Sequence, residues 1–227
     1  MASKQMRKFT PLNSSAVIDG SIPSLKGIIF DVDGTLCLPQ HYMFQEMRSA
    51  LGIDKSVDII HHIRGLPTIK DRSDAMTIIQ TIERDAMIKQ KPQPGLVELM
   101  EYLHSKGVRR ALCTRNFEAP VTHLIQNHLP SHVFDPIITR DTPLMPKPDP
   151  AGIVHIAKAW GLENANNLIM VGDSLDDMTA GFKAGAATVL LLNDHNQELR
   201  HHDHTDLCID RLDDLIDVLE KGLNSTA

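Results

Sequence analysis

The sequence is poor in cysteine, in aromatic residues and in net positive charge. Its 227 residues include three cysteines, Cys37, Cys113 and Cys208, and only 4% aromatic residues. Three scattered cysteines without CxxC spacing exclude a disulfide-framework fold and a cysteine-type zinc finger, and they fit a reducing compartment. Lysine and arginine number 23 against 29 aspartate and glutamate, a net charge of −6. That balance argues against a nucleic-acid or anionic-membrane partner.

Long hydrophobic runs are also missing. No apolar run reaches the roughly 18–20 residues that span a bilayer, and residues 1–25 lack the apolar segment of a secretory signal. Those residues carry Lys4, Arg7 and Lys8 with no acid before Asp19, a weak likeness to an organellar transit peptide. A frayed lead-in to the first strand is the favoured interpretation. We therefore expect a cytoplasmic protein, with a nuclear pool also open and organellar targeting as the minor alternative.

What is present is an alternation of short apolar runs and helical patterns. The runs cover residues 27–30, 108–113, 167–171 and 188–192. Helical spacing of apolar residues lies between them, as in the series Leu96, Leu99, Met100 and Leu103. Strands that alternate with helices of this size indicate βαβ units. The sequence predicts an α/β fold, a Rossmann-like parallel sheet with helices on both faces.

One segment breaks the alternation. From about residue 41 to residue 91 there is helical periodicity but no strand pattern, including a long helix from Thr68 to about Lys89. The prolines at 92 and 94 end the segment because proline disfavours a helical conformation in the residue before it. We predict an α/β core of residues 1–40 and 92–227 and a helical cap of residues 41–91. An insertion after the first strand would hang over the crevice where open α/β sheets bind ligands.

The first predicted strand ends in the acidic segment DVDGTL, residues 31–36. Strand alternation places Asp31 and Asp33 on one side and Val32 on the other. Two carboxylates at this separation repel each other, so a hard divalent cation is their natural occupant. Gly34 permits a sharp turn and a close approach of backbone N–H groups to an anion.

Three further polar loops follow predicted strands. Thr114 offers a hydroxyl near the start of a helix, which suits a phosphate oxygen. Lys147 lies between Pro146 and Pro148, which restrict the backbone around it. The third loop, residues 172–177, is acidic, and several acids beside an anion site require a metal. Together the four loops predict a site that binds both a phosphate and a metal.

The segments DVDGTL, LCTRN, PKPDP and VGDSLDD resemble the four signature loops of the haloacid dehalogenase superfamily. The helical insertion resembles the small α-helical cap of that superfamily's phosphoglycolate phosphatases and β-phosphoglucomutases. The resemblance runs from about Lys26 to near Leu207. It implies that Asp31 is the nucleophile that forms an aspartyl-phosphate. It further implies that Asp33 is the general acid–base and that its backbone carbonyl faces Mg²⁺.

The same resemblance implies the remaining roles. Thr114 would hydrogen-bond the transferring phosphoryl group, and Lys147 would hold that group and neutralise the nucleophile. Asp173 would be the acidic Mg²⁺ ligand and Asp177 would support the metal shell, so the metal set is Asp31, Asp33, Asp173 and Asp177. The acid at position 33 disfavours dehalogenation within the family. The implied function is a Mg²⁺-dependent phosphomonoester hydrolase acting on a small phosphorylated metabolite, as a monomer or weak dimer.

Two other functions stay open from the sequence. A phosphomutase of the β-phosphoglucomutase type would share every core residue, and a non-catalytic binding module would keep the fold alone. Four residues are candidates for substrate recognition: Arg64 and Gly65 in the cap, and Arg115 and Asn116 beside Thr114. For Arg64 and Gly65 an ordinary helix–helix turn is an equally good interpretation.

Two groups of residues that could carry further chemistry are assigned structural roles. The histidines at positions 195, 201, 202 and 204 match no helical metal-binding spacing, so we expect a hydrophilic loop and not a zinc site. Cys37 and Cys113 lack a histidine partner, and we expect small buried packing residues.

Overall fold

The computed structural model of the chain describes residues 9–12 and 23–223. The strands are β1 Gly27–Phe30, β2 Arg109–Cys113, β3 Ile137–Ile138, β4 Leu168–Gly172, β5 Ala187–Leu191 and β6 Leu207–Ile209. The α-helices are α1 His41–Leu51, α2 Ile59–Gly65, α3 Ile69–Ile88, α4 Leu96–Ser105, α5 Glu118–His128, α6 Ala151–Ala159, α7 Leu175–Ala184 and α8 Asp214–Lys221. The chain divides into two compact units: one runs up to Cys37 and resumes at Pro92, and the other is Leu38–Lys91.

The first unit is built on a six-stranded sheet. Its strand order is β3-β2-β1-β4-β5-β6, and every adjacent pair is parallel. The chain order reverses between β1 and β4, and in such sheets the crevice outside the carboxyl ends at the reversal is where ligands bind. The predicted Rossmann-like α/β fold is confirmed, and this topology brings the loops after β1 and β4 side by side.

Both faces of the sheet carry a hydrophobic core. In β1, Ile28 and Phe30 pack into the cluster formed with α4, α5 and α8. Ile29 points to the other face, where it packs with residues of α6 and α7. These three side chains are fully buried, and each such burial contributes roughly 1.5–3 kcal/mol. Burial on both faces explains why β1 is a continuous apolar run and not an alternating one.

The second unit, Leu38–Lys91, is made of α1, α2 and α3 and has its own small core around Met47, Ile63 and Ile79. Side chains cap two of these helices. Asp58 accepts a hydrogen bond from the backbone N–H of His61 at the start of α2, and Thr68 accepts one from Asp71 at the start of α3. Such caps satisfy backbone donors that have no partner within the helix, which accounts for where α2 and α3 begin.

The chain before the first strand differs from the frayed lead-in that we expected. Phe9 and Thr10 are buried, and the backbone N–H of Phe9 donates to the carbonyl of Leu223 at 3.0 Å. The expectation is wrong for residues 9–12 because the Phe9 ring is part of the main core. The basic residues at positions 4, 7 and 8 lie outside the described residues. Among the helices of the described ranges, none is long and apolar enough to cross a membrane.

Candidate active site

The carboxyl ends of the parallel strands gather the predicted site residues of the first unit. Asp31 follows β1, and its backbone N–H donates to Val171 of β4 at 3.0 Å. Thr114 follows β2 in the same way, donating to Ile138 of β3 at 2.9 Å. Both residues therefore extend the backbone ladder of the sheet by one step. Both residues are buried at the strand ends, with exposed fractions of the whole residue of 7% for Asp31 and 6% for Thr114.

Lys147 is the buried cation of the site. Its side chain is 3% exposed, and Nζ donates to Oδ1 of Asp31 at 2.7 Å and to Oδ1 of Asp177 at 2.5 Å. Burial by itself lowers the pKa of Lys147, but attraction to Asp177 and Asp31 outweighs it and raises that pKa above its ordinary value. The lysine is therefore charged at neutral pH and bridges the two carboxylates.

Asp177 lies in the first turn of α7, because that helix begins at Leu175. Ser174 and Asp177 form a reciprocal capping box. The Asp177 Oδ2 accepts hydrogen bonds from the Ser174 backbone N–H at 3.1 Å and hydroxyl at 2.6 Å. An acid in the first turn is also favoured by the helix dipole. The cap orients Asp177 so that its other oxygen meets Lys147.

Three carboxylates converge beside this lysine. Asp31, Asp173 and Asp177 each offer an oxygen, and the three oxygens lie within 4.8 Å of one another. Burial raises the pKa of Asp31 to about 6, despite the nearby charge of Lys147. Burial, together with the charges of Asp177 and Asp31, raises the pKa of Asp173 to about 8. One lysine does not balance three acids, and carboxylate oxygens are the ligands of a hard divalent cation, so the cluster could bind a metal.

Asp33 does not belong to this carboxylate cluster. It is half-buried, and the Sγ of Cys37 lies 3.8 Å from its Oδ1. The metal contact implied for Asp33 runs through its backbone carbonyl, and that contact, like its acid–base role, stays a prediction.

The substrate candidates beside Thr114 have partners of their own. Arg115 forms an ion pair with Asp176 at 2.5 Å, and its carbonyl accepts from Nε of Arg140 at 2.8 Å. The backbone N–H of Asn116 donates to the Thr114 hydroxyl at 3.1 Å. The hydroxyl is thus oriented by its own loop.

The cap candidates, Arg64 and Gly65, belong to the helical unit. They are the last two residues of α2, and both are exposed. The turn between α2 and α3 covers residues 66–68, so Arg64 and Gly65 end a helix and do not themselves form the turn. Their predicted part in substrate recognition stays a prediction.

The remaining residues of interest behave as packing groups. Cys37 and Cys113 are buried, as predicted, and burial raises the pKa of the Cys113 thiol to about 11. The ring of His204 stacks on Phe182 at 4.3 Å. Within the described ranges, the carboxylate cluster is the group suited to a metal, and it contains no histidine.

The sequence reasoning missed the residues that surround Asp173. Asn193 and Asn196, which follow β5, donate to the Asp173 side chain and backbone, and Thr35 donates to it from the loop after β1. The signal was available, because both asparagines follow a strand end just as Asp31 and Thr114 do. They flank His195, at the start of the histidine-rich segment for which the sequence predicts a hydrophilic loop.

Comparison with known proteins gives a consistent result. The family model of haloacid dehalogenase-like hydrolases matches residues 25–185. A hydrolase of Saccharomyces cerevisiae, YOR131C, is 44% identical over 202 residues, which are 86% of this chain and 91% of the relative. Phosphoglycolate phosphatase 1 of Pseudomonas aeruginosa is 31% identical over 144 residues, 63% of this chain and 52% of the relative. A crystal structure of a predicted phosphoglycolate phosphatase from Haemophilus somnus superposes with a TM-score of 0.70 at 19% identity, covering 86% of this chain and 97% of the other.

Proposed function

The chain belongs to the haloacid dehalogenase-like hydrolase family, and on that premise we propose that it is a Mg²⁺-dependent phosphomonoester hydrolase that acts through a phosphorylated Asp31. The observation that carries the proposal is the buried Lys147 ammonium, which lies 2.7 Å from Oδ1 of Asp31 and 2.5 Å from Oδ1 of Asp177. A carboxylate fixed by a buried cation is oriented to attack and is kept in its charged form.

The proposed reaction has two displacement steps. Asp31 attacks phosphorus, the bond between phosphorus and the ester oxygen breaks, and the departing oxygen takes a proton from Asp33. Asp33 then removes a proton from water, the water oxygen attacks the phosphorus of the aspartyl-phosphate, and the carboxylate of Asp31 is released with inorganic phosphate. Proton transfer of this kind is worth roughly 10²–10⁴-fold in rate.

Charge neutralisation is the main requirement of such a reaction. A carboxylate and a phosphate dianion repel each other, and phosphoryl transfer places further charge on the equatorial oxygens. Lys147 supplies one positive charge to Asp31, and in the proposed reaction the Thr114 hydroxyl donates to the phosphoryl group. The oxygens of Asp31, Asp173 and Asp177, within 4.8 Å of one another, fit a divalent cation and would hold it. When bound, Mg²⁺ would offset the negative charge of the carboxylates and the phosphate.

The substrate class that we propose is a small phosphorylated metabolite. Support comes from the relatives named as phosphoglycolate phosphatases, including the Pseudomonas aeruginosa enzyme. Arg115 and Asn116 are the candidates for substrate recognition in the first unit, and Arg64 and Gly65 are the candidates in the helical unit.

A screen for phosphate release tests the proposal. Purified protein with Mg²⁺ is assayed against sugar phosphates, nucleotides and phosphoglycolate, with Asp31→Asn as the blank. Asp217→Asn makes the same chemical change at an exposed residue paired with Lys221 and is the matched control. We expect release by the wild type and by Asp217→Asn and none by Asp31→Asn. Equal release by the Asp31→Asn blank would refute the role of Asp31.

The lifetime of the phosphoenzyme separates hydrolase from mutase. In single-turnover experiments, a hydrolase loses its phosphate to water whether or not an acceptor sugar is present. A long-lived phosphoenzyme that is discharged only by the acceptor would overturn the hydrolase assignment in favour of a mutase.

A further inference from the structure

We propose that Asn193, supported by Asn196, is a positioning residue that holds the Asp173 carboxylate in its metal-binding orientation and thereby sets the affinity for the divalent cation. This inference rests on the proposed function, because it takes Asp173 as a ligand of that cation. The two asparagines lie in the loop that follows β5, the strand next to β4 in the sheet.

The contacts to Asp173 come from two directions. The Nδ2 of Asn193 donates to Oδ2 of Asp173 at 3.2 Å. On the other side, the hydroxyl of Thr35 lies 3.4 Å from Oδ1. Each carboxylate oxygen therefore has a donor from a different loop, so the plane of the carboxylate is fixed and not only its position.

Asn196 fixes the loop that carries Asn193. It is 4% exposed, and its Nδ2 donates to the backbone carbonyls of Asp173 at 2.7 Å and Leu191 at 2.9 Å. Its Oδ1 accepts from the backbone N–H of Asn193 at 2.8 Å. All three contacts join the Asn196 side chain to backbone atoms of this region. Asn196 therefore connects the end of β5 to the backbone of Asp173 and positions the backbone that carries the Asn193 side chain.

The chain also makes room for this arrangement. Gly34 has a φ of +83°, and a Cβ added there would lie 2.2 Å from Oδ2 of Asp173. Asp173 therefore packs directly against the backbone of the loop that follows β1 and contains Asp31. Any side chain at position 34 would push the carboxylate away.

Electrostatics explains why Asp173 needs donors. Metal binding requires the ionised forms of Asp173, Asp31 and Asp177. Their carboxylates lie side by side, and like charges at this distance repel. Without hydrogen bonds to its oxygens, the Asp173 side chain would relieve the repulsion by turning away from the other two. Outer contacts of this kind typically account for about 10–100-fold in metal affinity or activity.

Calorimetric titration of metal-free protein with MgCl₂ tests the inference, with Asn193→Ala as the variant. Asn193 is half-buried, so we expect the variant to fold. The matched control is Asn167→Ala: Asn167 is also half-buried and also donates through Nδ2, to Ser24 at 2.9 Å, but it precedes β4, at the far end of the sheet.

We expect Asn193→Ala to raise the Kd for Mg²⁺ by about 10–100-fold and Asn167→Ala to leave it within twofold. In assays, the Mg²⁺ concentration for half-maximal phosphate release should rise in parallel, while KM for the substrate at saturating Mg²⁺ stays unchanged. A purely structural role would lower the melting temperature without this selective loss.

Three results would overturn the inference. The first is an unchanged Kd for Mg²⁺ in Asn193→Ala while the wild type binds Mg²⁺ and releases phosphate; this leaves the proposed function standing. The second is an equal weakening in both variants, which would show a general loss of stability. The third is a wild type that neither binds Mg²⁺ nor releases phosphate, which would refute the proposed function as well.

Discussion

The ammonium group of Lys147 stands between two buried carboxylates, and replacing this residue with methionine keeps most of its length while removing its charge. The side chains of Lys147, Asp31 and Asp177 are 3%, 11% and 1% exposed. Removing one partner of a buried ion pair typically costs about 3–5 kcal/mol, because the other charge stays buried without compensation. We expect Lys147→Met to lower the free energy of unfolding of the metal-free protein by that amount near pH 8.

The loss of unfolding free energy in Lys147→Met should grow as the pH rises. Burial already raises the pKa of Asp31 to about 6 with Lys147 present, and removing the lysine raises that pKa further. An acid whose folded-state pKa is raised stabilises the fold below its unfolded pKa and loses that contribution as the pH rises through the folded pKa. The difference in free energy of unfolding between variant and wild type should therefore be smallest near pH 5. From pH 6 to pH 8 it should grow, by at most about 1.4 kcal/mol per pH unit for one proton.

Urea denaturation of metal-free protein at pH 5, 6, 7 and 8 measures this difference. Lys70→Met is the matched control, since Lys70 pairs with Asp74 at 2.5 Å, the distance between Lys147 and Asp177, but with side chains 82% and 59% exposed. We expect the control to unfold like the wild type at every pH. A loss in Lys147→Met that is the same at pH 5 and pH 8 would refute the electrostatic reasoning, since it would reflect packing alone.

Three further predictions concern other parts of the first unit. Phe9→Ala should lower the free energy of unfolding by about 3 kcal/mol, because it empties part of the core; a loss below about 1 kcal/mol in urea denaturation would contradict the packing described for Phe9. Gly34→Ala should weaken Mg²⁺ binding in calorimetry, because its Cβ would overlap Asp173 and its φ is +83°, and unchanged affinity would argue against that contact. A thiol reagent at pH 8 should label the half-buried Cys208 before Cys113, because burial raises the pKa of the Cys113 thiol to about 11 and the thiolate is the reactive form; peptide mapping that finds Cys113 labelled first would contradict this order.

The strand ends were the part of the site most accessible to sequence reasoning. Asp31 and Thr114 each follow a continuous apolar run, and in a parallel sheet the carboxyl ends of the strands meet at one edge. The sequence therefore indicated which loops meet at the site. The family resemblance implied that Lys147 neutralises Asp31. It did not indicate that the same ammonium also binds Asp177, because residues 30 positions apart meet only through the tertiary fold.

Other details depended on local geometry that periodicity does not carry. The first turn of α7 contains Asp177 because the Ser174 capping box starts the helix at Leu175. Phe9 was assigned to a frayed lead-in because its partners lie near the other end of the chain, where its backbone bonds to Leu223.

By itself the sequence determined the class of fold, the helical character of the insertion and the four loops in which the candidate site residues lie. These features follow from hydrophobic periodicity and from residue types that suit phosphate and metal, and both are local properties of the chain. The tertiary structure decided which charges meet, how deeply they are buried and therefore how their pKa values move. It also revealed the support of Asp173 by Asn193 and Asn196, because that support depends on β5 lying beside β4 in the sheet.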